Sequence, residues 1–136
     1  MQADSSPPAP TGVALAAGFF AVSGALELGL SLLDAERPPG VAPLWDALGR
    51  ALLHWLLAAG LRQRLALCRS LAIVYCLAAL VTYAVALAMA LAGAPVRFPP
   101  SVVVQSLFQV PSCALLLPWL RSPEAARHLG RPIFGR

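Results

Sequence analysis

Apolar residues in this chain gather into long runs, not the one-sided stripes of helices on a soluble surface. The first run covers residues 12–33 and is broken by Ser23, Glu27 and Ser31. At about 1.5 Å per residue, a helix of that length crosses the roughly 30 Å hydrocarbon layer of a bilayer. Residues 70–92 form a second such run, and residues 101–120 a third, in which Pro111 is expected to introduce a kink. These runs predict three transmembrane helices.

The stretch after the first run reads differently. LWDALGRALLHW (44–55) places Asp46, Arg50 and His54 four residues apart, along one stripe of a helix. The next basic cluster begins at Arg62, and the 11 residues between Arg50 and Arg62 are too few to cross a membrane. A span here must therefore start near residue 43 and end near 61, with Arg50 inside the hydrocarbon layer. A helix lying flat in the interface is the competing reading.

Composition points the same way. The chain has 136 residues, 59% of them hydrophobic and 12% charged, with a mean hydropathy of +0.74. A soluble domain carries about 25% charged residues, so this composition suits a protein solvated by lipid. The fold expected is all-α: an integral membrane four-helix bundle with short loops. Residues 1–11, rich in Pro and Ser and free of Arg and Lys, read as a disordered cytoplasmic segment and not a secretory leader.

All ten basic residues are Arg, a bias like that of GC-rich bacterial coding sequences. Their distribution sets the topology, because basic residues collect on the cytoplasmic side. Arg62, Arg64, Arg69, Arg121, Arg127, Arg131 and Arg136 fall on one side, Arg37 and Arg97 on the other. Both termini are thus expected in the cytoplasm of a bacterium, with the chain in its inner membrane. Arg62, Arg64, Arg69, Arg121, Arg127 and Arg131 are read as topology-setting residues facing anionic lipid. Trp45 and Trp119 fall near opposite interfaces, as aromatic belts do. In the tail, residues 121–136, Ser122 caps a short interfacial helix that Pro123 and Glu124 begin and Gly130 and Pro132 stop. The arginines lack interleaved aromatic residues, which argues against nucleic acid as a partner.

With depths assigned, the polar residues of the spans fall at overlapping heights. Glu27 lies six residues before the outer end of the first helix, and Arg50 six residues after Leu44. Both sit about 9 Å into the membrane, where an unpaired charge costs about 2.5–3.5 kcal/mol. That cost makes Glu27 and Arg50 an expected pair. Asp46 and His54 lie one turn to either side of Arg50, Tyr83 comes from the third span, and Gln105, Gln109 and Ser112 share a face of the fourth. These eight residues form an expected intramembrane polar layer, facing inward because lipid offers no hydrogen-bond partner. Ala17, Ala21, Ala25 and Gly29 make a small-residue ridge suited to close helix packing.

Chemistry beyond that layer is sparse. The sequence contains no G-x-S-x-G, H-E-x-x-H or phosphate-cradling Gly-rich loop. Cys68, Cys76 and Cys113 make no C-x-x-C and read as buried thiols. A haem between two histidines is disfavoured, because His128 lies in the tail and His54 has no mate at membrane depth. No catalytic residue, metal or cofactor is expected. The leading reading is a non-catalytic structural or interaction component of the membrane, with lipids and a membrane protein or a second copy as partners. A small-solute, ion or proton-linked transporter using Glu27, Arg50 and His54 is the alternative, and a membrane enzyme the third.

The short first loop, the basic turn GLRQRLALCRS (60–70) and the last span running into LLLPWLRSPEAARHLGRPIF (115–134) carry a resemblance. In this layout the chain resembles small bacterial four-helix inner-membrane proteins of unknown function. That resemblance implies a multi-pass bundle and brings no catalytic residues with it.

Overall fold

The computed structural model describes residues 11–33, 41–93 and 100–130. Of the expected disordered N-terminus (1–11), residues 1–10 lie outside them, as do 34–40, 94–99 and the tail from Arg131, while Thr11 is helical. The described residues are all-helical, in the order α1 (Thr11–Leu33), α2 (Val41–Arg62), α3 (Ala66–Leu91), α4 (Pro100–Arg121) and α5 (Pro123–Leu129). Three of these, over Thr11–Leu32, Ala66–Leu91 and Ser101–Arg121, are long and apolar enough to cross a membrane. The chain is therefore read as a membrane protein. Helix α2, which carries Asp46, Arg50 and Arg62, falls short of that apolarity.

Helix α1 packs on α2 and α4, and α3 packs on α4 and α2, so the contacts run round the four long helices. The apolar core lies at the end nearest α5, where Val13, Phe20, Leu61, Cys76, Cys113 and Leu120 close on one another. Leu129 and Ala125 of α5 belong to the same core, so the tail helix is docked at its base.

Local chemistry explains the close reversals. Helix α2 ends with Leu65 N–H donating to Gly60 C=O (2.9 Å) and Arg64 N–H to Leu61 C=O (3.0 Å). That paired bonding stops a helix with one left-handed residue, and here the residue is Arg64 at φ +60°. The turn thus needs residues 63–65 alone, and α3 starts at Ala66 instead of the expected residue 70. Gly60 makes the tight join feasible, because the Cys68 side chain occupies the space a β-carbon would take. At the tail, the Ser122 hydroxyl accepts from Ala125 N–H (3.2 Å), Pro123 opens α5, and Gly130 ends it.

The small-residue ridge is used differently from expectation. Ala17 is buried, but Ala25 is exposed and Gly29 has open space around it. Close approach occurs instead at Gly24, where Trp55 Nε1 lies 2.7 Å from where a β-carbon would stand. Trp55 there donates its indole N–H to Ala21 C=O at 3.2 Å.

Candidate functional site

Each long helix contributes to a polar network in the half of the structure farther from α5. On α1, Phe20, Ser23 and Glu27 follow one another along a stripe whose three members are all buried. Helix α2 brings Asp46, Arg50 and His54 on its own four-residue spacing. Helix α3 supplies Tyr75 and Tyr83, and α4 supplies Gln105 and Gln109.

The upper layer is built on charge. Arg50 Nε lies 2.6 Å from Glu27 Oε1, and Arg50 Nη1 lies 2.7 Å from Asp46 Oδ2. Gln105 donates its amide N–H to Glu27 Oε2. Glu27 is only 6% exposed, whereas the Arg50 and Asp46 side chains are 52% and 65% exposed. Arg50 and Asp46 therefore depart from the inward orientation expected of them. Glu27 takes the interior position, and the guanidinium bridges it to a carboxylate on the outer edge of α2.

The lower layer is neutral and directional. His54 Nδ1 lies 2.8 Å from the Arg50 carbonyl oxygen, and its Nε2 lies 2.8 Å from Tyr75 Oη. A carbonyl can only accept, so Nδ1 carries the imidazole proton and Nε2 accepts from the Tyr75 hydroxyl. Tyr75 Oη in turn accepts from Gln109 Nε2 (2.8 Å), and Tyr83 donates to Gln109 Oε1 (3.0 Å). With a neutral His54, every group from Tyr83 to the Arg50 carbonyl donates in the same direction. Phe20 packs edge-on to Tyr75 and beside the His54 ring, walling this layer with hydrocarbon.

Together the contacts close a ring. Glu27–Arg50 joins α1 to α2, His54–Tyr75 joins α2 to α3, Tyr75–Gln109 joins α3 to α4, and Gln105–Glu27 returns to α1. Ser112 is partly exposed and stands outside this network.

One member of the network, Tyr75, and one buried neighbour, Ser23, escape the sequence reading. Tyr75 lies too close to the other end of its run to be assigned to the outer half, yet its long side chain reaches the layer. The four-residue steps from Tyr75 to Ala79 to Tyr83 were the available signal. Ser23 sits one turn from Glu27 on the buried stripe, and it is fully enclosed.

Arg69 is a correction. Read as a lipid-facing basic residue, it is instead 1% exposed. It donates through Nε to Leu120 C=O (2.8 Å), through Nη1 to Gly130 C=O, and through Nη2 to Ser122 C=O (3.4 Å). The final carbonyls of a helix lack partners within it, and a forked cation can serve several at once. Arg69 thus pins the end of α4 and both ends of α5 to α3. Arg62, Arg64, Arg121 and Arg127 are exposed.

Two further features complete the picture. The Cys76 thiol on α3 and the Cys113 thiol on α4 are both buried in the apolar core. A cavity of about 700 Å³ opens between the far halves of α3 and α4, and among the described residues lining it Tyr83 and Ser106 are the ones with polar side chains. Among the described residues, no three His, Cys, Asp or Glu side chains are grouped to hold a metal. No family model matches the chain, and neither a curated protein nor a solved structure does.

Proposed function

We propose that the chain is a multi-pass membrane component whose polar ring holds four spans in fixed order and register, with a structural or interaction role. On this reading α2 is the fourth span of a four-helix bundle, both termini are cytoplasmic, and the membrane is a bacterial inner membrane. The arginine distribution supports that orientation. Exposed Arg62, Arg64, Arg121 and Arg127 then meet anionic headgroups at the cytoplasmic face.

The observation that carries the reading is the closure of the ring. Hydrogen bonds or ion pairs link every neighbouring pair of long helices. Polar partners inside a membrane fix helix order because lipid offers no substitute. The cavity beside the ring is lined mainly by apolar side chains, which supports the reading that the charged groups serve one another. A second copy or another membrane protein is the partner class such a component would meet.

The decisive experiment exchanges the charges. Glu27→Arg and Arg50→Glu should each reduce folded yield in detergent, and the double variant should recover it. Normal folding of both single variants would overturn the structural role. Reporter fusions after Arg136 should give a cytoplasmic signal, and a periplasmic one would overturn the orientation. A carrier that uses Glu27, Arg50 and His54 is the second reading, favoured by one observation: Arg50 is half exposed and gives the buried Glu27 an edge on the surface.

A further inference from the structure

Between the charged layer and the neutral layer lies one side chain that neither uses. Ser23 is 1% exposed, and its hydroxyl has no hydrogen-bond partner among the described residues. A buried hydroxyl without a partner is costly, and in folded proteins such groups bind ordered water.

Its position is fixed by contacts above and below. Glu27, one turn along α1, meets Arg50 and Gln105. Phe20, nearly one turn the other way, meets His54 and Tyr75. On α4, Gln105 and Gln109 bracket the same level. The wall contributed by α2 is low there, because Ala47 and Ala51 are the buried residues flanking Arg50.

We propose that Ser23 marks an internal water site that joins the two layers into one proton-exchange path. The water takes the Ser23 hydroxyl as one partner and the polar groups of Glu27 or Gln105 above, and of Tyr75 or Gln109 below, as the others. A site with two to four such partners holds water stably. The path begins at the half-exposed Asp46–Arg50 pair, passes Glu27 and the water, and enters the aligned donors around Tyr75 and His54. Each hop adds a proton to the acceptor and removes one from the donor, so a group gains or loses one charge transiently. Return of a proton along the same path restores every resting charge. This inference rests on the network geometry and not on whether the ring is needed for folding, so the charge exchange above and the test below can fail separately.

The test uses the full chain in phospholipid bilayers and follows magnetisation transfer from water to the His54 and Tyr75 side chains by solid-state NMR. The wild type should show rapid transfer at both. Ser23→Val fills the site with methyl groups and should slow transfer several-fold, while the Gln105 and Arg50 signals stay in place. Ser23→Ala removes a water ligand and should lower the melting temperature. Slow transfer in the wild type would overturn the proposal, as would an unchanged rate in a folded Ser23→Val variant. A raised melting temperature in Ser23→Ala would do the same, since it means the hydroxyl was buried dry.

Discussion

Arg50 holds two carboxylates at once, Glu27 at 2.6 Å and Asp46 at 2.7 Å, yet the two contacts are physically unlike. Glu27 is buried on another helix, and Asp46 is exposed one turn away on the same helix. Breaking a buried pair strands a charge, while an exposed pair is largely replaced by solvent or headgroups. Arg50→Ala is therefore expected to cost about 2–4 kcal/mol, below the full buried-pair value because the guanidinium is half exposed. Asp46→Asn should cost under about 1 kcal/mol. Reversible unfolding in mixed micelles measures both, and equal effects would show that the buried and exposed contacts are equivalent.

Tyr75 is the junction of the neutral layer, donating to His54 and accepting from Gln109. Tyr75→Phe leaves the histidine nitrogen and the Gln109 amide each short of one partner. A loss of about 1–3 kcal/mol is expected. Tyr83→Phe removes one terminal donor and should cost less. The same unfolding assay ranks the pair, and a larger loss at Tyr83 would contradict the junction assignment.

Arg69 binds the tail helix through backbone carbonyls of Leu120, Ser122 and Gly130. Hydrogen bonds from a charged donor are each worth about 1.5–3 kcal/mol, and the Ser122 contact is long, so Arg69→Ala should cost at least about 3 kcal/mol. The tail should also become sensitive to protease after Arg121 and Arg127. Arg69→Lys should not restore protection, since one ammonium cannot reproduce the planar fork. Intact tails in Arg69→Ala would show that the Leu129 and Ala125 packing suffices.

The α2–α3 reversal yields two predictions of opposite sign. Arg64 sits at φ +60°, a conformation that a residue with a β-carbon adopts at a cost. Arg64→Gly should therefore stabilise the protein by up to about 1 kcal/mol. Gly60→Ala, elsewhere in a helix a gain of about 1 kcal/mol, should instead destabilise it. Cys68 occupies the space of the new methyl group. Melting temperatures of the two variants decide the matter by direction alone.

Hydrophobic runs report length and apolarity, which is why α1, α3 and α4 were legible as membrane-crossing helices. Depth counting also placed Glu27 and Arg50 at one height, because rise per residue is constant along a helix. It carries no information on which way a helix is turned. The outward lean of Arg50 and Asp46, and the reach of Tyr75 into the ring, depend on rotation and were therefore hidden. Arg69 was hidden for another reason: its partners are carbonyls 51–61 residues away, and backbone acceptors leave no mark in a sequence. Ser23 reads as one scattered serine until its neighbours are assembled around it.

The three-residue reversal at Gln63, Arg64 and Leu65 bears on how the chain enters a bilayer. Helix α2 carries too much charge to partition efficiently by itself, while α3 is strongly apolar. Joined so tightly, the two can be delivered as one hairpin, with α3 supplying the transfer energy that α2 lacks. Glu27 precedes Arg50 in the order of synthesis and, if α1 enters first, supplies its counter-charge. On the four-span reading, the order of synthesis itself lowers the barrier for the least lipophilic segment.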